Sequence, residues 1–277
     1  MGKHTGWEIE YRTHFDSIVD EYEKTRPEWI HNIYDDIVEY AKPHLDENAI
    51  EIGVGTGKAT TPILNIGYNV TAIEINPRMA EFSLNRFRNY NNFKVIVSSF
   101  EDALLEDNSY SLIYAASAFH WVNAEVGLPK ALRLLSPGGT IALFRYNEIA
   151  SVTDELYNRI RKIYNQYYDP FYEIPYRQPV RQTHDDFCLP SEIYKGYRFE
   201  NLQAFGFHDV TMKFYDVTLE YDSNKYLAFL DTLSDHRSIP NHIKIPFYAK
   251  IKEEIENSGG NYKVDYVFQL YLGRKRV

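Results

Sequence analysis

Three alternate glycines, Gly53, Gly55 and Gly57, constrain the fold of this chain more than any other feature of the sequence. They follow a short β-branched run at residues 50–52, and an acidic residue, Glu74, comes seventeen positions after the last of them. Glycine lets the backbone turn tightly and approach a ligand without a Cβ in the way. A carboxylate at the end of the next apolar run can accept hydrogen bonds from a ribose diol. These features predict a βαβ unit that binds a nucleotide.

The glycine spacing narrows the choice of ligand. The order is G-x-G-x-G and not the G-x-G-x-x-G of dinucleotide sites, because Lys58 occupies the position that would close the longer pattern. A dinucleotide needs its pyrophosphate against a helix N-terminus, whereas the shorter pattern suits a ligand without phosphate, such as S-adenosylmethionine. Taken alone, the glycines could also form a tight turn in an α/β protein that binds no such ligand. The presence of Glu74 at this spacing makes that alternative weaker.

Strands and helices alternate through the first half of the chain. Strands are predicted at residues 49–52, 69–74, 93–97, 111–116 and 140–144. Helices are predicted at 28–40, from Pro77 toward Asn89, and up to Leu134-Leu135, where Ser136-Pro137-Gly138-Gly139 reads as a stop and turn. This alternation predicts right-handed crossovers and a mostly parallel sheet.

The second half departs from this rhythm. After a predicted helix at 153–167, a loop-rich stretch contains four prolines: Pro170, Pro175, Pro179 and Pro190. An irregular segment of that length is typical of a lid, so we expect a single domain, residues 1–277, with 145–200 as a lid or cap insertion. Further elements are predicted, namely a strand at 210–219, helices at 223–235 and 246–256, and a closing strand at 262–272.

The composition limits location and partners. A net charge of −9 argues against a nucleic-acid partner, and the basic run at residues 274–276 reads as a solvated tail. The single cysteine, Cys188, excludes an intrachain disulfide framework and a multi-cysteine zinc site. The charged N-terminus has no apolar signal region, and no apolar run approaches the length of a membrane span. We therefore expect a cytoplasmic protein with no membrane partner; the sequence leaves its oligomeric state undetermined.

A polar, aromatic and acidic segment, Ser98-Ser99-Phe100-Glu101-Asp102, follows the third predicted strand. Ligands of open parallel sheets bind at the carboxyl ends of the strands, so this loop could bond to an adenine amine and cover its ring. With this segment, the chain resembles the class I S-adenosylmethionine-dependent methyltransferases. Over residues 15–145 it is similar to the small-molecule branch that includes trans-aconitate methyltransferase.

The resemblance is carried by a set of short motifs. They are residues 53–60, Glu74, Phe100-Glu101-Asp102, Ala118-Phe119-His120-Trp121, residues 135–139 and the upstream Phe15…Tyr22…Arg26-Pro27. It implies a Rossmann-like, doubly wound α/β fold whose seven-stranded, mostly parallel sheet carries an antiparallel last strand and a helical cap. The implied cofactor is S-adenosyl-L-methionine, and the implied partner is a small-molecule methyl acceptor.

The resemblance also implies roles for individual residues. The backbone at the three glycines would hold the amino acid part of the cofactor, and Glu74 would bind the ribose hydroxyls. The adenine would lie against Ile75 and be framed by Ser99, Phe100 and Glu101. Ser117 would line the methionine side. Tyr22 and Arg26 would close over the cofactor, with the Arg26 guanidinium pairing its carboxylate; an exposed arginine at the start of a helix is the alternative.

His120 is the candidate catalytic residue, because it follows the fourth predicted strand. Methyl transfer is an in-line displacement in which the protein mainly aligns the reactants. Histidine is a plausible base for a hydroxyl or amine acceptor, whereas a carboxylate acceptor would need only orientation. Packing under the lid, together with Trp121, is the remaining alternative.

Other chemistry-bearing segments are weaker candidates. His184-Asp185-Asp186 could suggest a metal, but adjacent side chains seldom converge on one ion, and no metal site is expected. Arg177 and Arg181 could receive an acidic substrate, although exposed loop arginines are the simpler interpretation. The predicted function is methylation of a small molecule, at the oxygen of a hydroxyl or carboxylate. The alternatives are a nicotinamide-dependent oxidoreductase and a non-catalytic protein that binds the cofactor.

Overall fold

The computed structural model describes residue 11, residues 15–188 and residues 199–277. The chain divides into two compact units, each assembled from separate stretches of sequence. Unit one comprises the described residues up to Arg26, Asn147–Thr183 and Asp216–Val267; unit two comprises Pro27–Tyr146, the described part of His184–Tyr215, and Phe268–Val277. The 145–200 segment that we predicted as one insertion is therefore shared between the two units, and its role as a lid stays a prediction.

Nine α-helices are present in the part of the chain that the structure describes. They are α1 (Val19–Thr25), α2 (His31–Ala41), α3 (Thr60–Ile66), α4 (Pro77–Arg86), α5 (Ala124–Leu134), α6 (Glu155–Phe171), α7 (Ser223–Leu230), α8 (Ser234–Arg237) and α9 (Asn241–Asn257). Short 3₁₀ turns occur at Phe119–Trp121, His184–Phe187 and Phe199–Phe205. None of the described helices is both long enough and apolar enough to cross a membrane.

Seven strands form one sheet in the order β3-β2-β1-β4-β5-β7-β6. They are β1 (Asn48–Ile52), β2 (Asn69–Glu74), β3 (Phe93–Val97), β4 (Tyr110–Ala116), β5 (Leu135–Glu148), β6 (His208–Asp222) and β7 (Asn261–Arg274). Strands β1 to β5 pair in parallel, so their carboxyl ends lie along the same edge. The sheet confirms the predicted Rossmann-like α/β fold with seven mostly parallel strands.

The central strands form where the sequence is apolar at almost every position, as expected for a parallel sheet covered on both faces. In β1, Ala49, Ile50 and Ile52 are buried, and Glu51 is the one charged residue among them. In β4, Leu112 and Ile113 are completely buried. These strands contribute to the hydrophobic core of unit two, which fixes the strand ends that carry the candidate site.

The start of α4 agrees with the prediction in position but not in its bonding. Asn76 is the N-cap residue and Pro77 begins the helix, as the sequence predicted. The Asn76 side chain, however, makes no capping bond to the helix, and its amide donates instead to the Glu74 carboxylate at 3.0 Å. The helix ends at Arg86, earlier than the predicted end near Asn89.

The Ser136-Pro137-Gly138-Gly139 segment was predicted as a turn before the fifth strand, and this prediction was wrong. Strand β5 already begins at Leu135, which pairs with Tyr110 of β4. The next pairing joins Leu112 to Thr140, so the extra residues form a bulge within the strand. The bulge is tolerated because Gly138 adopts a φ of +78°.

Several predicted boundaries in the second half also differ. Helix α6 ends at Phe171 and contains Pro170, which we placed in the loop-rich stretch. The predicted helix at 223–235 is two helices, α7 and α8, and the helix predicted from residue 246 already begins at Asn241. Helix α1 was not predicted. Pro190 and the N-terminal residues used in the location argument lie outside the described residues.

Candidate functional site

The turn after β1 is built from left-handed backbone. Gly53, Gly55 and Gly57 have φ values of +68°, +54° and +85°, which residues with side chains rarely adopt. A Cβ on Gly53 would lie 2.5 Å from the Ala118 Cβ, and one on Gly57 would lie 2.4 Å from the Phe87 ring. Gly53 and Gly57 are therefore required by packing within the protein as well as by the turn itself.

Glu74 ends β2 and is held against this turn. One carboxylate oxygen accepts the Gly55 backbone N–H at 2.8 Å; the other accepts the backbone and side-chain amides of Asn76 at 2.9 and 3.0 Å. The side chain is 4% exposed, and burial raises the pKa of its carboxyl while these donors lower it. The Ile75 backbone N–H is a further donor that lowers this pKa, so four donors hold the Glu74 carboxylate at the end of the strand.

The loop after β3 is organised by its own side chains. Ser99 donates its hydroxyl to Asp102 at 2.6 Å and accepts the Asp102 backbone N–H at 3.1 Å. The Glu101 carboxylate accepts the backbone N–H of Asn123, the N-cap residue of α5, at 3.1 Å. The Phe100 ring is 3% exposed and belongs to the hydrophobic core, so it supports the loop from within the protein. Contact of these residues with an adenine stays a prediction.

Lys130 of α5 holds the same loop, and the sequence analysis missed it. Its ammonium donates to the carbonyls of Glu101 at 3.0 Å and Ala103 at 2.5 Å, and it lies 5.4 Å from the centre of the Phe100 ring. Burial lowers the pKa of this ammonium. The available signal was a lysine on the otherwise apolar face formed by Leu128, Ala131 and Leu134.

The segment after β4 contains backbone strain. Ser117 has a φ of +49°, and its N–H donates to the Phe144 carbonyl of β5 at 2.8 Å. A non-glycine residue in this region costs about 1–3 kcal/mol and is typical of functional sites. His120 follows in a 3₁₀ turn, where it is half-buried and its ring centre lies 5.0 Å from that of Trp121.

Glu51 is a second buried carboxylate that the sequence analysis did not select. It lies in the middle of β1, is 1% exposed, and accepts the hydroxyls of Thr60 at 2.6 Å and Tyr114 at 2.8 Å. Burial raises its pKa to about 7, despite these two donors. An acidic residue at the centre of a buried strand was the signal that could have identified it.

The predicted residues fall into two groups. The larger group belongs to unit two and lies at or just after the carboxyl ends of β1, β2, β3 and β4. It consists of the three glycines, Glu74, half-buried Ile75, Ser99, Phe100, Glu101, Ser117 and His120. The structure brings Gly55 and Glu74 into direct contact, and the Glu74 carbonyl accepts the Ser98 N–H at 2.9 Å. This shared edge of the sheet is the candidate site.

Tyr22 and Arg26 belong to unit one. The Arg26 guanidinium donates to the Thr232 carbonyl at 2.7 Å and lies 5.0 Å from the centre of the Tyr22 ring and 5.6 Å from that of Phe229. Their predicted closure over a cofactor stays a prediction.

The weaker candidates have structural partners. The Arg181 guanidinium, suggested as a receptor for an acidic substrate, pairs with Asp265 at 2.8 Å. Among the described residues, no group of three or more histidine, cysteine or acidic side chains could hold a metal ion. Residues 184–186 form a 3₁₀ turn in which the His184 ring centre lies 5.3 Å from that of Phe214.

Comparison with known proteins gives a consistent result at the level of sequence. Residues 50–143 match the model of a family described as "Methyltransferase domain". An uncharacterized methyltransferase of Mycobacterium tuberculosis is 29% identical over 129 residues, which cover 47% of this chain and 50% of that protein. The chain spans about half the length of the curated relatives it matches.

Solved structures agree on the fold. A protein of Anaeromyxobacter dehalogenans assigned to the type II methyltransferases has a TM-score of 0.62 at 16% identity, covering 91% of this chain and 97% of that one. Phosphoethanolamine N-methyltransferase 2 of Haemonchus contortus, solved with S-adenosyl-L-methionine, has a TM-score of 0.54 at 13% identity, covering 100% of this chain and 61% of that one. At these identities the likeness shows the fold alone.

Proposed function

We propose that this protein transfers a methyl group from S-adenosyl-L-methionine to a small-molecule acceptor. The observation that carries the proposal is the Glu74 carboxylate, which is fixed at the end of β2 by the Gly55 N–H of the left-handed turn. The match of residues 50–143 to the methyltransferase domain supports the same class of enzyme and the same cofactor.

The residues at this edge of the sheet fit such a cofactor chemically. Glu74 is a buried carboxylate at the end of the second strand, a position that suits a ribose diol in this type of fold. Ala118 and Phe87 occupy the places where side chains of Gly53 and Gly57 would lie. The amino acid part of the ligand would therefore be held by the backbone groups of this turn. Ile75 would lie against the adenine, with Ser99, Phe100 and Glu101 framing it and Ser117 lining the methionine side. Tyr22 and Arg26 would complete the set of residues that contact the cofactor.

When bound, S-adenosylmethionine supplies a methyl group on a positively charged sulfur, which an acceptor lone pair attacks in line. The protein's part is to hold the acceptor oxygen in that line and to exclude water, which can lower a large share of the barrier. For a hydroxyl acceptor, His120 would take the proton as the new oxygen–carbon bond forms. For a carboxylate acceptor, His120 would only orient the oxygen. We propose that the methyl group is transferred to an oxygen atom, and that the enzyme acts on small molecules in the cytoplasm.

Titration calorimetry with S-adenosylmethionine and S-adenosylhomocysteine tests the proposal. Wild type should bind both, and Glu74→Ala should weaken binding about tenfold or more, because it removes the acceptor for the ribose. Glu106→Ala, an exposed carboxylate of unit two, is the matched control and should bind as wild type does.

Gly55→Ala gives an independent test of the turn. Its matched control is Gly260→Ala, which adds the same Cβ at a φ of +83° where no atom lies within 4 Å. Both variants should lose about 1 kcal/mol of stability from the left-handed backbone, but only Gly55→Ala should lose cofactor affinity. No binding by wild type, or equal binding by Glu74→Ala and the controls, would refute the proposal. Saturable binding of NADH would favour an oxidoreductase instead.

A further inference from the structure

Strand β3 forms one end of the sheet and has no strand on its outer side in the part of the chain that the structure describes. It comprises Phe93–Val97, and none of its residues is fully buried. An edge strand presents a row of backbone N–H and C=O groups that can serve as a template for another strand. The proposed methyl transfer gives this edge no role.

The bonds between β2 and β3 show which groups of β3 face outward. The Val70 N–H donates to the Asn92 carbonyl at 2.8 Å, and the Ser98 N–H donates to the Glu74 carbonyl at 2.9 Å. In a strand, the N–H and C=O of one residue point to the same side, and successive residues point to opposite sides. The even-numbered residues of this segment therefore bond to β2. The outward-facing backbone groups are those of Phe93, Val95 and Val97.

These outward groups are complementary to those of a second copy of the chain. If the second copy adds its β3 in the antiparallel direction with Val95 opposite Val95, each Phe93 lies opposite a Val97. Directly opposite residues of this type exchange both backbone bonds, so every outward N–H and C=O of the two strands is paired. Lys94, the one charged residue of β3, would lie opposite Ile96 of the second copy and not opposite another lysine.

Exposed apolar side chains accompany this edge. Val97 of β3 is 55% exposed, and Leu104 in the following loop is 93% exposed. Leu84 is 45% exposed on α4, the helix that packs against β3. Backbone bonds contribute little net free energy to an association, because the free groups are already bonded to water. Covering apolar side chains supplies a favourable contribution that the backbone bonds lack.

The two ends of β3 carry opposite charges. Arg88 lies five residues before the strand and Asp102 five residues after it, and both side chains are exposed. In the antiparallel arrangement, the start of β3 in one copy lies beside the end of β3 in the other. Each Arg88 would then approach Asp102 of the second copy, whereas a parallel arrangement would bring like charges together. Charge complementarity of this kind favours one orientation of two partners.

We propose that β3 is the interface of a symmetric dimer, in which two copies of this chain add their β3 strands to each other in the antiparallel direction. A second copy suits the edge better than a strand of an unrelated protein. The reason is that the hydrogen-bonding groups and the charges are both self-complementary about Val95. The two sheets would join into one continuous sheet. The interface does not depend on the proposed methyl transfer.

Sedimentation velocity of the full chain at concentrations from about 1 to about 100 μM tests the proposal, because a short interface gives a weak, concentration-dependent dimer. Wild type should change from monomer to dimer across this range. Wild type that stays monomeric throughout would overturn the proposal. So would an assembly that keeps growing with concentration, because a two-fold interface closes after two copies.

Two variants then test the edge itself. Val95→Pro removes an outward N–H while keeping the bonds to β2, and Val97→Lys places a charge where an apolar side chain would be covered. Each should weaken the dimer about tenfold or more. Ile245→Lys, the same kind of change at a 67% exposed side chain of α9, should dimerise as wild type does.

Circular dichroism shows which variants are folded. If either folded variant of the edge dimerises as tightly as wild type, the dimer forms through another surface and the proposal is overturned. Because Val97→Lys changes a side chain that is already more than half exposed, it keeps the test available if Val95→Pro fails to fold. Titration of the same samples with S-adenosylmethionine reports separately on the proposed function.

Discussion

Glu51 allows the cost of burying a carboxylate in unit two to be tested through the pH dependence of the unfolding free energy. Burial raises its pKa from 4.5 to about 7. One pKa unit corresponds to about 1.4 kcal/mol, so ionising Glu51 costs the folded protein about 3 kcal/mol. The unfolded chain releases this proton near pH 4.5 and the folded protein near pH 7. Between these values the folded state holds more protons, and its stability therefore falls as the pH rises.

Glu51→Gln removes this ionisation and keeps an oxygen that can accept from Thr60 and Tyr114. Below about pH 4.5 the variant should be as stable as wild type to within about 1 kcal/mol, the worth of one changed hydrogen bond. By about pH 8 the difference in unfolding free energy should have moved by about 3 kcal/mol in favour of the variant.

Urea unfolding, followed by circular dichroism at several pH values, measures this difference. The change with pH in the wild-type-minus-variant free energy isolates Glu51, because other titrating groups contribute equally to both proteins. Glu106→Gln, on the exposed surface of the same unit, should show no such change. A difference that is constant with pH, or that moves in favour of wild type, would refute the reasoning. It would mean that the donors of Thr60 and Tyr114 balance or outweigh the cost of burial.

The other predictions concern the candidate site. Glu74→Gln should lower S-adenosylmethionine affinity about tenfold or more and stability by about 1–3 kcal/mol, because an amide group then faces the donors of Gly55 or Asn76; calorimetry and thermal unfolding measure the two effects. Lys130→Met should weaken cofactor binding severalfold by releasing the loop carbonyls, and the same calorimetry should find no loss in Lys130→Arg. Gly53→Ala should cost about 1–3 kcal/mol, since its Cβ would lie 2.5 Å from the Ala118 Cβ. Adding Ala118→Gly should recover part of that loss in thermal unfolding, and no recovery would contradict the proposed clash.

The fold was predictable where the signal is local. Strands β1 to β4 are short apolar runs between polar turns, and their predicted bounds differ from the observed ones by at most one residue. The errors occur where a distant partner decides the conformation. Residues 136–139 look like a turn, yet pairing of Leu135 and Thr140 with β4 makes them a bulge. Pro170 looks like a helix breaker, but it lies in the last turn of α6, where the interruption is tolerated.

The candidate site shows the same contrast between features set by local sequence and features set by distant partners. The glycine turn and Glu74 were predictable because their spacing along the chain places them at adjacent strand ends. Lys130 was not, because its two carbonyl acceptors lie 27 and 29 residues away in the sequence. The strain at Ser117 was also not predictable, since it depends on a bond to Phe144 of a neighbouring strand.

The two buried carboxylates of unit two show why sequence spacing finds one kind of acidic residue and misses another. Glu74 is held by backbone N–H groups of Gly55 and Asn76, which local geometry supplies at the end of a strand. Glu51 depends on the hydroxyls of Thr60 and Tyr114, and the second of these is 63 residues away. If Glu51 supports the cofactor turn through its charge, affinity for S-adenosylmethionine should change near pH 7 in wild type but not in Glu51→Gln. If affinity changes equally in both, the titrating group lies elsewhere, and Glu51 acts on stability alone.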